Sequence, residues 1–519
     1  MPTRMRTRMR LPFEEPAVHR PPTAEAEVAA DLAVVRPDLG PRFTAELPGA
    51  RAAVLTRLWR ALAHEPLPWI ERGERGGDGL TLRLVDGRRL HGPLPDPYAT
   101  TAYVSVVTLD GTAYDDPARL TAALAVPHGA GFAAELGHSV ASMALSRAGQ
   151  GPHPKEWPQD DRGWERRVVD GHPYHPGCRS RPGFSVAEQL AYGPEHGPTV
   201  RLGLLPVPAG ECVVSGEWPG ELRDGARLLL PVHPWQAEHV LKRSCARDVA
   251  AYPLMSLRTL ALPGGPHVKT ALSTRLTSSV RDISVGSVAA SAALSAFGET
   301  LAARTDGLLH VTRTLGAATA DSPDLAAVLR ESPQVYGAPG EYVVPVAALA
   351  GTGLPDSPGW LAEFARLSLA VGLGLLELGV ALEAHGQNLL VVLSASGAPL
   401  RLVYRDLADI RVGPSRLARA GVPLPGELPA RILTDDVTAL RRKLFGSLVG
   451  GALAGTAGGA AALGAALAAA VRELPRTPDL VALCEEPLPV KALTLMRLSP
   501  GAAGDRWAEL PNPMATDLD

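Results

Sequence analysis

The sequence predicts an α+β protein of two or three domains, and three observations carry that reading. Helical periodicity dominates from about residue 46 to 150, short strands broken by Pro and Gly fill the middle of the chain, and helical periodicity returns from about residue 338. A chain of 519 residues also exceeds what one ordinary core organises.

Residues 1–45 are Pro- and Arg-rich with little periodicity and read as a variable tail; the opening "MPTRMRTRMR" is basic but lacks the apolar stretch of a secretion signal. "ARAAVLTRLWRALAHE" and "GFAAELGHSVASMALSRAG" have the spacing of apolar-faced helices, and the strand-like "LTLRLVDGRRLHG" and "TAYVSVVTLDG" lie between them. After a polar stretch from Gly149 to Gly183 come "VRLGLLPV", "ARLLLPVHPWQ" and "YPLMSLRTLAL", three short strand patterns. "PGWLAEFARLSLAVGLGLLELGVALEAHG" predicts a long helix that stops at Gly386. Its glycines at 372, 374 and 379 follow no strand, so they read as close helix packing and not as a dinucleotide loop. Residues 446–471 are uncharged but mostly Ala and Gly, which predicts a helix or insert of a soluble protein and no membrane span.

A net charge of −3 argues against a nucleic-acid partner. The four cysteines (Cys178, Cys212, Cys245, Cys484) share no metal-ligand spacing and read as reduced thiols of a cytoplasmic protein. The chain holds 46 Arg against 5 Lys, the habit of GC-rich genomes, so each lysine is informative; Lys269 is one of the five.

Four stretches carry chemistry. In "EAHGQNLLVVLSASGAPLRLVYRDL" (residues 383–407) two strands flank the turn "ASGAP", and closing that hairpin brings Asn388 beside Asp406, with Glu383 and His385 arriving from the preceding helix. An amide oxygen next to a carboxylate is a hard-oxygen pair suited to Mg²⁺ carrying nucleotide phosphates, and protein kinases place an Asn and an Asp about a hairpin in the same way; an ordinary polar hairpin mouth is the alternative. "HVKTALSTRLTSSVRDIS" (267–284) shows poor strand periodicity but offers Lys269, then Thr277, Ser278 and Ser279 in a row, then Arg281: hydroxyls and cations for phosphate or carboxylate oxygens. "GHPYHPGCRSRPGFS" (171–185) is a stiff loop in which Pro keeps His172 and His175 extended ahead of Arg179 and Arg181, and it suits an anion better than zinc. In "PVHPWQAEHV" (231–240), Trp235 reads as packing under a turn.

Taken in order, these stretches resemble the NRPS-independent siderophore synthetases of the aerobactin-synthetase type. The family's GHPxHPxxKxRxGF, VHPWQ, Lys-led TSxxR, EAHxQN and RD elements correspond to Gly171–Phe184, Val232–Gln236, Lys269–Arg281, Glu383–Asn388 and Arg405–Asp406. "YGPEH" (192–196) and "MSLRTL" (255–260) match two further elements. The sequence departs from the pattern at Arg179, where the family has Lys, and at Ser142, where Asn is common.

The resemblance implies a hand-like fold: a thumb over residues 46–177, fingers over 178–337 and a kinase-like palm over 338–519. It implies an enzyme that uses ATP and Mg²⁺ to adenylate a carboxylic acid, citrate or a citrate- or succinate-derived acid, and passes the acyl group to an amine, hydroxylamine or alcohol, working as a homodimer. Carried over by residue, Ser256, Arg258, Thr259, Lys269, Thr277, Ser278, Glu383 and Asn388 would contact ATP. His172, His175, Arg179, Ser279, Arg281 and His385 would border the acid, Asn388 and Asp406 would hold the metal, and Lys269, Arg281 and His385 would be catalytic. Two rival readings stay open at this point: a small-molecule phosphotransferase, although the loop 385–387 lacks the Asp that kinases place there, and a non-catalytic relative in a biosynthetic complex.

Overall fold

The computed structural model describes residues 23–151, 156–276, 279–426, 428–501 and 504–515. Three regions, each with its own core, follow one another along the chain.

In the first, helices Ala24–Val35, Gly40–His64, Pro117–Leu124 and Gly129–Ala148 accompany a five-stranded antiparallel meander running from Ile70–Gly76 to Thr112–Tyr114. Residues 24–45, aperiodic to a sequence reading, are therefore mostly helical and not a tail. Thr23 caps the first helix by accepting the Ala26 N–H, alanine supplies propensity, and Val28 and Leu32, one turn apart, are buried in the core around Phe43 and Trp59. The C-terminal segment returns to this region: Glu65, at the end of Gly40–His64, accepts the N–H groups of Thr494 (3.1 Å) and Leu495 (2.7 Å). Burial pushes this carboxyl up from 4.5 to about 7, although both N–H donors favour its ionised form. A folded pKa above the unfolded one stabilises below the unfolded value, so Glu65's contribution is complete below about pH 4.5 and is lost as pH rises through about 7. The stability difference between the native chain and Glu65→Gln, measured by denaturant unfolding across that window, is expected to shrink as pH rises.

The middle region is a nine-stranded antiparallel sheet. At its centre His267–Thr270 pairs with Thr259–Ala261 on one side and Ala326–Arg330 on the other. The poor periodicity around Lys269 thus conceals a strand, covered on both faces, where alternation fades. The residues after it are not a simple Ser/Thr loop either: Leu272–Leu276 and Ser279–Arg281 form a hairpin, with Leu272 opposite Arg281. Thr277 and Ser278 lie outside the described residues. Trp235 stacks on Phe184 at 5.0 Å and donates to the Gly183 carbonyl, which makes it the packed Trp the sequence suggests.

In the third region the predicted hairpin is present as Leu389–Leu393 and Pro399–Tyr404, antiparallel, with Leu389 opposite Tyr404. The long helix ends earlier than the sequence suggests, spanning Pro358–Leu378; Gly379 closes it at φ +100°, a left-handed conformation that favours glycine. Gly372 is a packing glycine: a Cβ there would stand 2.7 Å from Leu448. The uncharged segment is split into Phe445–Ala457 and Ala460–Val471, largely buried in the core. Among the described residues no single helix is long and apolar enough to cross a membrane; Val437–Ala457 and Ala460–Val471 meet at 119°. Strand Leu309–Val311 joins the hairpin sheet, parallel to Pro399–Tyr404, so a boundary at residue 337/338 cuts through shared structure.

Candidate functional site

The loop of residues 171–185 is held from below by the first region's long helix. Arg57 donates to the carbonyls of His172 (3.2 Å) and Pro173 (3.0 Å), and Arg60 lies over the Tyr174 ring at 4.4 Å. Both histidines are fixed in the same way: Nδ1 of His172 accepts the Tyr174 N–H (3.1 Å) and Nδ1 of His175 accepts the Gly177 N–H (3.0 Å). His385 repeats the device with the Gln387 N–H at 3.2 Å. A backbone donor on Nδ1 dictates the tautomer, so a neutral ring carries its proton on Nε2 and presents a hydrogen-bond donor. Nε2 of His175 is buried and has no protein partner among the described residues.

These rings share one cleft with Arg281. His385 and His175 act electrostatically on His172, and Arg497 and Arg281 act on His175. Loss of hydration is the first cause that holds all three rings below the ordinary histidine pKa, with His175 down to about 3, and neighbouring cations add to it. All three are neutral at pH 7. Arg281 donates Nε–H to the Leu276 carbonyl at 3.2 Å and feels the carboxylates of Glu383 and Asp406. Ser279 is exposed on the same short strand.

On the other side of the cleft, the Lys269 ammonium meets Asp406 Oδ2 at 2.5 Å, and Arg330 stands 3.8 Å from the same oxygen. Burial pushes Lys269 down to about 8 against the pull of Asp406, and the cations around Asp406 hold its carboxyl far below the usual range. Asp406 sits at φ +86°, a strained conformation of the kind that gathers at functional sites. Asn388 is beside it: the Arg405 N–H donates to the Asn388 carbonyl at 3.0 Å, and the Asn388 amide donates to the Glu383 carbonyl at 3.3 Å. Glu383 is held by Lys443 and Lys491, both at 3.0 Å, which keeps its carboxyl at about 2. Three of the chain's five lysines therefore converge here. Ser256 and Thr259 fasten to each other (Oγ to Oγ1, 2.9 Å), and Arg258 donates to the carbonyls of Arg281 and Asp282, both at 2.8 Å.

Most of the sequence-predicted residues thus come together, but with changed roles for some. Arg179 does not face the cleft: it is buried, donates to the carbonyls of Val168 (2.7 Å) and Val169, and stands 3.6 Å from Glu195, which Arg181 also holds at 2.7 Å. The arginine next to the histidine motif is internal scaffolding. Arg258 uses its guanidinium to support the Arg281 strand, and Glu383 is saturated by two ammonium groups. Sequence reading missed Arg330, Lys443 and Lys491, and above all Glu165. This fully buried carboxylate accepts the Met255 N–H at 2.7 Å and an Arg405 Nη2–H at 2.5 Å, while Arg405 Nε–H goes to the Gln387 carbonyl at 3.0 Å. The available signal was lysine rarity, which singled out Lys269 but applied equally to Lys443 and Lys491.

As for a metal, one carboxylate and one amide oxygen beside the cations Lys269 and Arg330 are donors of the type Mg²⁺ takes when substrate phosphates complete its shell. Asp406 and Asn388 fit that role by donor chemistry, although Asp406 is itself paired with Lys269 and Arg330, which a bound metal would have to displace. Among the described residues, the one cluster of His and carboxylate groups close enough to share an ion is Glu188, Glu238 and His239.

Residues 161–351 match the model of the IucA/IucC family, and residues 359–505 match that of the ferric iron reductase FhuF-like transporter. Over 310 residues the chain is 25% identical to the citryl-spermidine/3,4-dihydroxybenzoyl-citryl-spermidine:spermidine ligase of Bacillus anthracis, covering 47% of this chain and 50% of that one. The chain spans about half the length of the curated relatives it matches. The fold is shared with the petrobactin biosynthesis protein AsbB of B. anthracis (TM-score 0.72, 17% identity, 92% of this chain and 98% of that one). It is shared as well with the ATP-bound aerobactin synthetase IucA of a hypervirulent Klebsiella pneumoniae (TM-score 0.65, 19% identity, 90% and 99%). The IucA/IucC family model, the ligase relative and the common fold support the same family as the ordered motifs about this cleft, the NRPS-independent siderophore synthetases.

Proposed function

We propose that this protein is an ATP-dependent ligase that adenylates a carboxylic acid, citrate or a citrate- or succinate-derived acid, and condenses it with an amine, hydroxylamine or alcohol. The observation that carries the reading is the two-sided cleft. Lys269 and Arg330 on one side suit phosphates, and Arg281 with the Nε2–H donors of His172 and His175 on the other suits a carboxylate. Bringing two anions together is the difficulty of this chemistry, and preorganised cations and N–H donors answer it.

In the first half-reaction a carboxylate oxygen of the acid attacks the α-phosphorus of ATP, forming the acyl-phosphate bond as pyrophosphate leaves. Lys269 would turn its ammonium from Asp406 to phosphate oxygens, Arg281 would hold the acid, and Arg258 would keep the Arg281 strand in place. Mg²⁺ held by Asp406 and Asn388 would neutralise phosphate charge. In the second half-reaction the nucleophile attacks the acyl carbon, AMP departs, and the nucleophile's proton is lost to solvent. The tautomer set by the Gln387 N–H makes His385 a hydrogen-bond donor to the acyl or phosphoryl oxygens and leaves no Nε2 lone pair for a base. The ligase name of the B. anthracis relative and the ATP-bound Klebsiella structure support this reading. A homodimer belongs to the same proposal, and light scattering measures it.

The test is hydroxylamine trapping with ATP, Mg²⁺ and a panel of di- and tricarboxylic acids, following AMP and ADP separately. The expected result is acid-dependent AMP and hydroxamate, lost in Arg281→Ala by about 10³-fold. ADP without hydroxamate would replace this reading with phosphotransfer, and ATP binding without turnover on any acid would favour a non-catalytic relative.

A further inference from the structure

We infer that the short helix Asp161–Glu165 assembles the phosphate side of the cleft, and that Asp161 is a positioning residue for Lys269 and Arg330. The inference rests on where the ligase reading above places the phosphates of ATP.

The groups assigned to the phosphates come from two separate bodies. Lys269 and Arg330 stand on paired strands of the nine-stranded sheet, and Asp406 follows the hairpin of the third region. Ladder hydrogen bonds fix each body internally, so what remains to be set is the placement of one against the other. Lys269 meets Asp406 across that junction at 2.5 Å, but in the proposed reaction this contact is given up as the ammonium turns to phosphate. Other contacts must then hold the two walls.

The helix supplies them. Asp161 and Glu165 are four residues apart and share a face. Asp161 Oδ2 accepts His267 Nε2–H at 2.5 Å and the Ser332 hydroxyl at 3.1 Å. His267 lies two residues before Lys269 on the same strand face and is opposite Arg330 in the ladder; Ser332 lies two residues after Arg330. Glu165 takes the Met255 N–H, next to Ser256, and Arg405, next to Asp406. Each grip is therefore within two residues of a group assigned to ATP. The helix is itself anchored in both bodies. Arg162 donates to the Gly197 carbonyl at 2.9 Å and lies over the ring of Tyr252, a sheet residue, at 4.0 Å, while Trp164 is buried in the third region's core. Asp161 and His267 are both buried. Burial opposes the Asp161 charge, but the His267 and Ser332 donors and the Arg162 N–H outweigh it and hold the carboxyl below its ordinary value, so the grip is ionised at pH 7. None of these contacts uses Lys269 or Asp406, so all of them persist when nucleotide engages those two groups.

The experiment is isothermal titration of the full-length protein with ATP and Mg²⁺, alongside AMP formation in the hydroxylamine assay. Asp161→Ala is expected to raise the Kd for ATP by about tenfold at unchanged stoichiometry, and KM for ATP more than KM for the acid. Asp161→Asn keeps the shape and one acceptor and is expected to recover part of the loss. Unfolded molecules lower the stoichiometry and leave Kd alone, so a folding defect does not imitate the result. Where Asp161→Ala does not fold, Asp161→Asn and Ser332→Ala carry the test, each with Kd raised about threefold. Because both carboxylates act through one helix, Asp161→Ala combined with Glu165→Gln is expected to weaken ATP binding by less than the product of the single effects. A Kd within about twofold of native in the variants that fold, an equal rise in KM for the acid, or single effects that multiply in full would each overturn the inference while the ligase reading stands. A shifted Kd without acid-dependent AMP in the native chain would overturn the ligase reading and uphold the positioning role. No ATP binding by the native chain would overturn both.

Discussion

Asp406→Asn is expected to lower AMP formation by about 10³-fold while the chain still folds. Asn, like Asp, is among the non-glycine residues that tolerate positive φ, so the substitution removes charge with little change in backbone strain at φ +86°. What it removes is, among the described residues, the only carboxylate paired with Lys269 and Arg330. Without it the two cations, with Arg258 close by, repel one another, and the proposed metal loses its anionic ligand. Because the carboxylate is partly open to the cleft, the cost to stability is set at about 2 kcal/mol, below that of a fully buried pair. ATP supplies new anions at the same place, so nucleotide should restore part of the variant's stability if it still binds. Single-turnover AMP release and denaturant unfolding with and without ATP measure both effects; activity within tenfold of the native chain would remove Asp406 from the phosphate site.

Glu165→Ala is expected to be the most destabilising single change near the cleft, by about 3–5 kcal/mol, because it strands Arg405 and the Met255 N–H in the interior. Its functional signature should differ from that of Asp406. Glu165 is fully buried, and it ties the loop before Thr259 to the hairpin mouth through Arg405 and Gln387. Loosening that tie should raise KM for ATP by about tenfold and change kcat less. Glu165→Gln keeps one acceptor and the same shape, so it should recover part of the KM effect. A kcat loss with unchanged KM, unrelieved by Gln, would show that the carboxylate does something other than position these segments.

These two residues also mark what a sequence discloses and what it conceals. Asp406 was legible because a turn between two apolar runs fixes which residues meet at a hairpin's open end. Glu165 was not: within "DDRGWERR" it reads as one charge in a solvated run, and its partner Arg405 is 240 residues away. The helix that seemed to run to Gly386 ends at Leu378 because the apolar pattern continues into strand Val380–Ala381, which pairs with Arg411–Val412. Lys269 stood out by residue type alone, its strand being hidden by burial on both faces. Arg179 looked like a ligand contact because cations in a stiff loop suggest an anion; its anion is Glu195, within the same region of the chain.

Strand Leu309–Val311 lies against Pro399–Tyr404 and receives its neighbour roughly ninety residues later in the chain. At a synthesis rate of about 5–20 residues per second, that apolar strand emerges from the ribosome roughly 5–20 s before the strand that covers it. During that interval its exposed edge can pair with another nascent chain. The yield of native protein in a cell should therefore respond to chaperone supply and to growth temperature more than equilibrium stability alone would suggest, and splitting the gene after codon 337 should give two fragments that each need the other to become soluble.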